Sequence, residues 1–173
     1  MFNLCRKLII LLGLLLSTQV IASDLQSSQQ CLAENIYFEA RNQGAAGWLA
    51  ITAVTFNRVE SRHFPDTICE VVFQGPTHLN SDMPVKHKCQ FSWYCDGKSD
   101  YIANLDLFFK ILYFSKLMVN SNKIIFDMTS STFGYFDITD GSTHYHHHSI
   151  KPFWARSMTR TVRIDDHIFY RED

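Results

Sequence analysis

The chain has 173 residues, of which 46% are hydrophobic and 19% charged, and its formal net charge is −1. The near-neutral charge excludes the basic excess that a nucleic-acid footprint requires. The length suits one ordinary domain able to bury a real core.

Arg6 and Lys7 precede the apolar run Leu8 to Leu16, and Val20-Ile21-Ala22 supplies a small-residue end, the three parts of a secretory signal. Residues 1–22 are therefore expected to be a signal peptide cleaved after Ala22, leaving 23–173 as the mature domain. Gly13 interrupts the run and Ser17-Thr18-Gln19 follows it, which argues against a retained span of about 20 apolar residues. Cys5 lies before the apolar run, not at a lipoprotein site. The expectation is an exported, soluble, monomeric protein of the periplasm or cell envelope. Losing Arg6 and Lys7, with no acidic residue in the leader, takes the charge from −1 to −3.

Cys31, Cys69, Cys89 and Cys95 remain in a compartment that permits disulfides. Two bridges fit an even number; three pairings are possible, and the short Cys89 to Cys95 spacing allows a local one. Zinc is the poorer alternative, because no Cys-x-x-Cys pair is present and the spacings are 38, 20 and 6.

Ser27 with Gln30 has the form of a capping box, and a helix is expected from about Gln29 to Asn42. Leu32, Ile36, Glu39 and Ala40 share its apolar face, so Glu39 points where a core residue should be. A second helix is expected over Trp48 to Val59, with Ala50 and Ala53 permitting close packing. Asp66 is well placed to cap a short third helix, Thr67 to Phe73, ended by Gly75-Pro76. From Gly75 to Asp100 a polar loop holds the aromatic knot Phe91-Ser92-Trp93-Tyr94 between two cysteines, which argue for order. Tyr101 to Val119 reads as a strongly apolar helix and the central buried element. Thr129 to Thr139 alternates small, aromatic and β-branched residues, Asp140-Gly141 marks a turn, and Thr161 to Tyr170 reads as a tight hairpin or one bent strand. The fold class is α+β, mostly helical, with a small β region in the C-terminal third.

Burial disfavours the charged form of a carboxyl group and keeps it protonated near neutral pH, so Glu39 can deliver a proton to a leaving oxygen. Glycosidic cleavage needs that proton, usually with a second carboxylate as nucleophile or base. The bland alternative is a salt bridge from Glu39 to Arg41 or Arg58.

Cys31-Leu-Ala-Glu-Asn-Ile-Tyr-Phe-Glu-Ala-Arg41, Gly47 to Val54 and Asn57-Arg58-Val59 together resemble the opening of the cell wall hydrolases typified by the spore-cortex-lytic enzyme SleB. Phe64 to Cys69, Val71 to Gln74, Cys89 to Trp93, Cys95-Asp96-Gly97, Thr143 to His146, Pro152-x-Trp154-Ala155 and His167 to Tyr170 follow in the order of that family. The resemblance implies a lysozyme-like catalytic domain acting on the glycan strands of peptidoglycan next to muramic acid, as a lytic transglycosylase or muramidase. It implies no cofactor and makes Glu39 the acid. In a transglycosylase the muramic acid 6-hydroxyl closes onto the anomeric carbon, so one carboxylate serves as acid and then base. The chain departs from the family pattern at Asn42-Gln43, where Gly-Glu is usual, and at His147-His148, where Ala-Asp often stands.

Substrate contacts are expected from Tyr37, Asn57, Trp93, Asp96, Tyr145 and His146. Asn57 continues the apolar face of the second helix and either holds Glu39, touches sugar or bonds loop backbone. Trp93 and Tyr94 either stack on a sugar or fill the core under the loop, Asp96 can accept from a hydroxyl, and Arg58 is read as a solvated or salt-bridged helix residue.

The run His144-Tyr145-His146-His147-His148 raises a rival, a zinc-dependent N-acetylmuramoyl-alanine amidase, but no His-Glu-x-x-His signature accompanies it and no catalytic metal is expected. A further alternative is a non-catalytic wall-binding module.

Overall fold

The computed structural model describes residues 27–127 and 137–172. The expected signal peptide and its cleavage point lie outside the described residues, as does Thr129 to Phe136 of the alternating stretch.

Helix α1 runs through residues 27–40 and buries Leu32, Ala33, Ile36, Tyr37 and Ala40, the stripe that spacings of three and four dictate. Helix α2 (Ala45–Glu60) starts earlier than its apolar pattern suggests, because Ala45 and Ala46 are strong helix formers and the Gly44 carbonyl accepts from Gly47 and Trp48. Every residue from Ala50 to Phe56 is buried, so α2 is surrounded by protein and is the central element.

Helix α3 (Ile68–Val72) is capped by Thr67, not Asp66: the Thr67 hydroxyl accepts from the Glu70 amide and donates to the Glu70 carboxylate. A disulfide joins Cys31 on α1 to Cys69 on α3, and a second joins Cys89 to Cys95. Gly75 lets the long loop close on the second bridge, since a Cβ there would stand 2.8 Å from the Cys89 sulfur. A short 3-10 turn (Ser92–Cys95) then drives Trp93 into the core, where it stacks on Phe38 at 4.6 Å and donates from Nε1 to Asn35 Oδ1 at 3.0 Å.

Helix α4 (Leu105–Asp127) corrects the sequence expectation of a central buried helix over Tyr101 to Val119. Asn104 caps it through Leu107 N–H at 3.0 Å, and over residues 105–121 the buried positions are Phe108, Ile111, Ser115 and Val119. Leu105, Phe109, Tyr113 and Leu117, four residues apart, stay between 44% and 65% exposed. Its apolar content implies burial, but over residues 105–121 α4 packs on the core through one face.

The C-terminal third forms a three-stranded antiparallel sheet in the order β1-β3-β2, from β1 (His144–His147), β2 (Thr159–Ile164) and β3 (His167–Arg171). The expected hairpin is β2–β3, closed at Asp165 with φ of 49°; the expected turn at Asp140-Gly141 has φ of 55° and 73°. Pairing of His144 through His147 with β3 makes the histidine run a strand, an element not assigned from sequence. Phe169 packs with Ala50 and Val54, fixing the sheet on α2. Among the described residues no helix is long and apolar enough to cross a membrane.

Candidate active site

Glu39 lies in the last turn of α1, three residues beyond Ile36, and is half-buried. It opens into a cleft of 320 Å³ lined also by Arg58 of α2, Gln90 and Ser92 of the disulfide loop, Tyr145, His146 and His147 of β1, and Ile150, Pro152, Trp154 and His167. This is at the small end of ligand pockets. A wider groove of 780 Å³ beside α3 holds Asp66 and Glu70, both exposed, and so lacks a withdrawn carboxyl.

Burial pushes the Glu39 carboxyl above its ordinary 4.5, opposed by a hydrogen bond from the Tyr145 side chain and by the positive charge of Arg58. Burial is the largest of the three causes, so the protonated form gains. The Tyr145 hydroxyl is itself pushed well above 10, by burial and then by Glu39, and therefore keeps the proton it donates.

Arg58 is 3% exposed, which overturns its reading as a solvated or ion-paired residue. Its Nε donates to the Thr143 carbonyl at 2.8 Å, and its guanidinium lies over Phe91 at 4.7 Å and Phe64 at 5.1 Å. Burial lowers its pKa to about 10, a value that Tyr145 and Glu39 hold up, so it stays charged at neutral pH. Nη1 is buried without a hydrogen-bond partner. Arg58 acts on Glu39 through space, not as a salt bridge: the ion pairs among the described residues are Lys98 with Asp96, His148 with Asp166 and Arg171 with Asp140. Arg41, the other expected partner, lies over the Tyr37 ring at 5.4 Å.

Of the residues expected around the cleft, Tyr145 and His146 reach it. His146 donates from Nδ1 to the His147 carbonyl at 2.9 Å, which leaves Nε2 to accept from the Tyr170 hydroxyl at 3.0 Å. Both nitrogens are engaged, and His144 Nδ1 contacts Thr143 Oγ1 at 2.9 Å, so His144 and His146 of the histidine run do not converge on the cleft as free zinc ligands.

The other four expected contacts stand elsewhere. Tyr37 is in the core, its hydroxyl accepting from the Asn104 amide at 3.1 Å. Trp93 fills the core under the disulfide loop, the plainer of its two readings. Asn57 donates to the Ser142 carbonyl and Asp137 Oδ2, each at 3.0 Å, binding the loop ahead of β1. Asp96 binds Lys98, away from the cleft. Arg58 and Trp154 were not assigned to the cleft from sequence. Arg58 follows Ile51 and Val54 by seven and four residues, the inward stripe of α2, and that spacing was the available signal. Gln43, one of the two departures from the family pattern, donates to Asp166 Oδ2 at 3.0 Å and accepts from the Asp166 amide at 3.3 Å.

A family model described as Cell Wall Hydrolase matches residues 42–170. Spore cortex-lytic enzymes of Oceanobacillus iheyensis and Halalkalibacterium halodurans are 41% identical over 49 residues and 36% identical over 58 residues, or 28% and 34% of this chain. The matched part spans 18% of each relative's length. The catalytic domain of the Bacillus cereus SleB protein superposes with a TM-score of 0.56 at 22% identity, covering 84% of this chain and 91% of that one. The catalytic domain of the germination-specific lytic transglycosylase SleB of Bacillus anthracis gives 0.54 at 23% identity, covering 86% and 93%. The fold is that of these catalytic domains.

Proposed function

Because the chain belongs to the cell wall hydrolase family, we propose that it cleaves the glycan strand of peptidoglycan next to muramic acid, with Glu39 as acid and then base. The observation that carries this reading is that Glu39 is the single carboxylate among the described residues lining the cleft, and burial favours its protonated form. The neutral carboxyl protonates the bridging oxygen as the glycosidic bond breaks. The resulting carboxylate is held by the Tyr145 hydroxyl and the Arg58 charge, and it removes the proton of the muramic acid 6-hydroxyl as that oxygen closes onto the anomeric carbon. A second carboxylate, which a retaining or inverting glycosidase of the usual kind needs, is unnecessary for this closure. Tyr145 and His146 line the substrate path, and Trp154 offers a flat ring at the rim.

Cleavage of residues 1–22 and export to the periplasm or envelope belong to the same reading, supported by the two disulfides, which persist in oxidising compartments. The test is mass spectrometry of purified sacculi digested by the wild type and by Glu39→Gln side by side. Anhydro-muramic ends from the wild type and none from Glu39→Gln are expected. Reducing ends would replace transglycosylation by hydrolysis. Free stem peptides, or unchanged digestion by Glu39→Gln, would overturn the reading.

A further inference from the structure

The histidine run and the β2–β3 turn meet at the rim of the cleft. His147, His148 and Asp166 each bring one potential metal-ligating atom to within 4.8 Å of the others, with His148 Nε2 3.6 Å from Asp166 Oδ1. Each residue is also held by a partner outside the trio or by backbone. Ser149 Oγ stands 2.7 Å from His147 Nδ1, where it can accept the Nδ1 proton that ligation through Nε2 requires, in place of the bond from the Ser149 N–H at 3.2 Å. The Gln43 amide holds Asp166 Oδ2 at 3.0 Å and leaves Oδ1 toward His148. The His148 amide donates to the Asp166 carbonyl at 2.8 Å, which fixes the two backbones together.

We propose that His147, His148 and Asp166 form a binding site for a divalent cation of the zinc class, clamping the end of β1 to the β2–β3 turn. Two imidazoles and one carboxylate with open positions suit such an ion, whereas calcium and magnesium take oxygen ligands throughout. Metal–ligand distances of about 2.0–2.2 Å place tetrahedral ligands about 3.4 Å apart, so the 3.6 Å pair closes with a movement of a few tenths of an ångström, while separations up to 4.8 Å close through rotation of the exposed imidazoles. His146 takes no part, since both its nitrogens are engaged. The ion sits beside the cleft through His147, and through Gln43 it fastens the loop that follows Glu39. Its role is to hold, and it is independent of the glycan reaction.

Protein purified without a histidine tag and stripped with chelator is titrated with zinc chloride by calorimetry, and its melting temperature is recorded with and without zinc. One zinc per chain and a rise in melting temperature are expected for the wild type. His148→Ala and Asp166→Asn each weaken binding at least tenfold and lose the rise, while His78→Ala, an exposed histidine outside the trio, leaves both unchanged. Circular dichroism confirms that the variants fold. Less than one zinc on the wild type, or titrations unchanged in both His148→Ala and Asp166→Asn, would overturn the proposal.

Discussion

Removing the Cys31–Cys69 bridge as the double variant Cys31→Ala/Cys69→Ala tests what holds α1, and with it Glu39, in place. The bridge closes a separation of 38 residues, and the chain-entropy relation gives about 4 kcal/mol of stabilisation at 25 °C through restriction of the unfolded chain. The Cys89–Cys95 bridge closes a separation of 6, for which the same relation gives about 2 kcal/mol. In a domain of this size about 2–4 °C of melting temperature accompany each kcal/mol, so the first variant should melt about 8–16 °C lower and Cys89→Ala/Cys95→Ala about half as much lower. Guanidinium and thermal unfolding followed by far-ultraviolet circular dichroism give both numbers. Equal losses in the two variants, or a larger one for the short loop, would refute the argument from loop length.

Two further outcomes follow from the site and one from the core beside it. Glu39 has a raised folded pKa, so the native state keeps a proton that the unfolded chain releases above about pH 4.5, and stability falls as pH rises through the folded value. Glu39→Gln should therefore have the higher guanidinium midpoint at pH 7, with the difference vanishing by pH 4, and an equal midpoint at pH 7 would contradict it. Arg58 lowers the Glu39 pKa through its charge, so Arg58→Met should move the basic limb of the pH–activity profile upward; a downward shift would count against the proposed acid. Asn35 receives Trp93 Nε1–H and donates to Thr55 Oγ1 at 3.2 Å in the buried core, so Asn35→Leu should cost about 2–4 kcal/mol by chemical denaturation, and a loss under about 1 kcal/mol would show that the network is dispensable.

The helical part of the fold was legible where periodicity is governed by one buried stripe, as in α1, whose inward residues follow the expected offsets. It was misread in α4, where Phe109 and Leu117 are apolar yet exposed, since sequence reports hydrophobicity but not which face finds a neighbour. The position of Glu39 on the apolar face of α1 was readable for the same reason that Leu32 and Ile36 were. Tyr37 and Trp93 were not separable from sugar-stacking residues, because an aromatic ring fills a core and a cleft by the same contacts. Asn57 shows the limit for polar groups, whose partners lie about 80 residues away in Asp137 and Ser142. The bridges could be counted from sequence but not paired, and β1 escaped notice because four consecutive residues of histidine and tyrosine carry no apolar alternation.

Glu39 comes from the first helix, whereas Tyr145 comes from β1, whose partner in the sheet is β3, the last strand in the chain. A polypeptide stopping before β3 would therefore carry Glu39 without the strand that holds Tyr145 in the sheet. The proposed acid thus acquires its complete cleft, which also takes in Trp154 and His167, only when the last strand has been made.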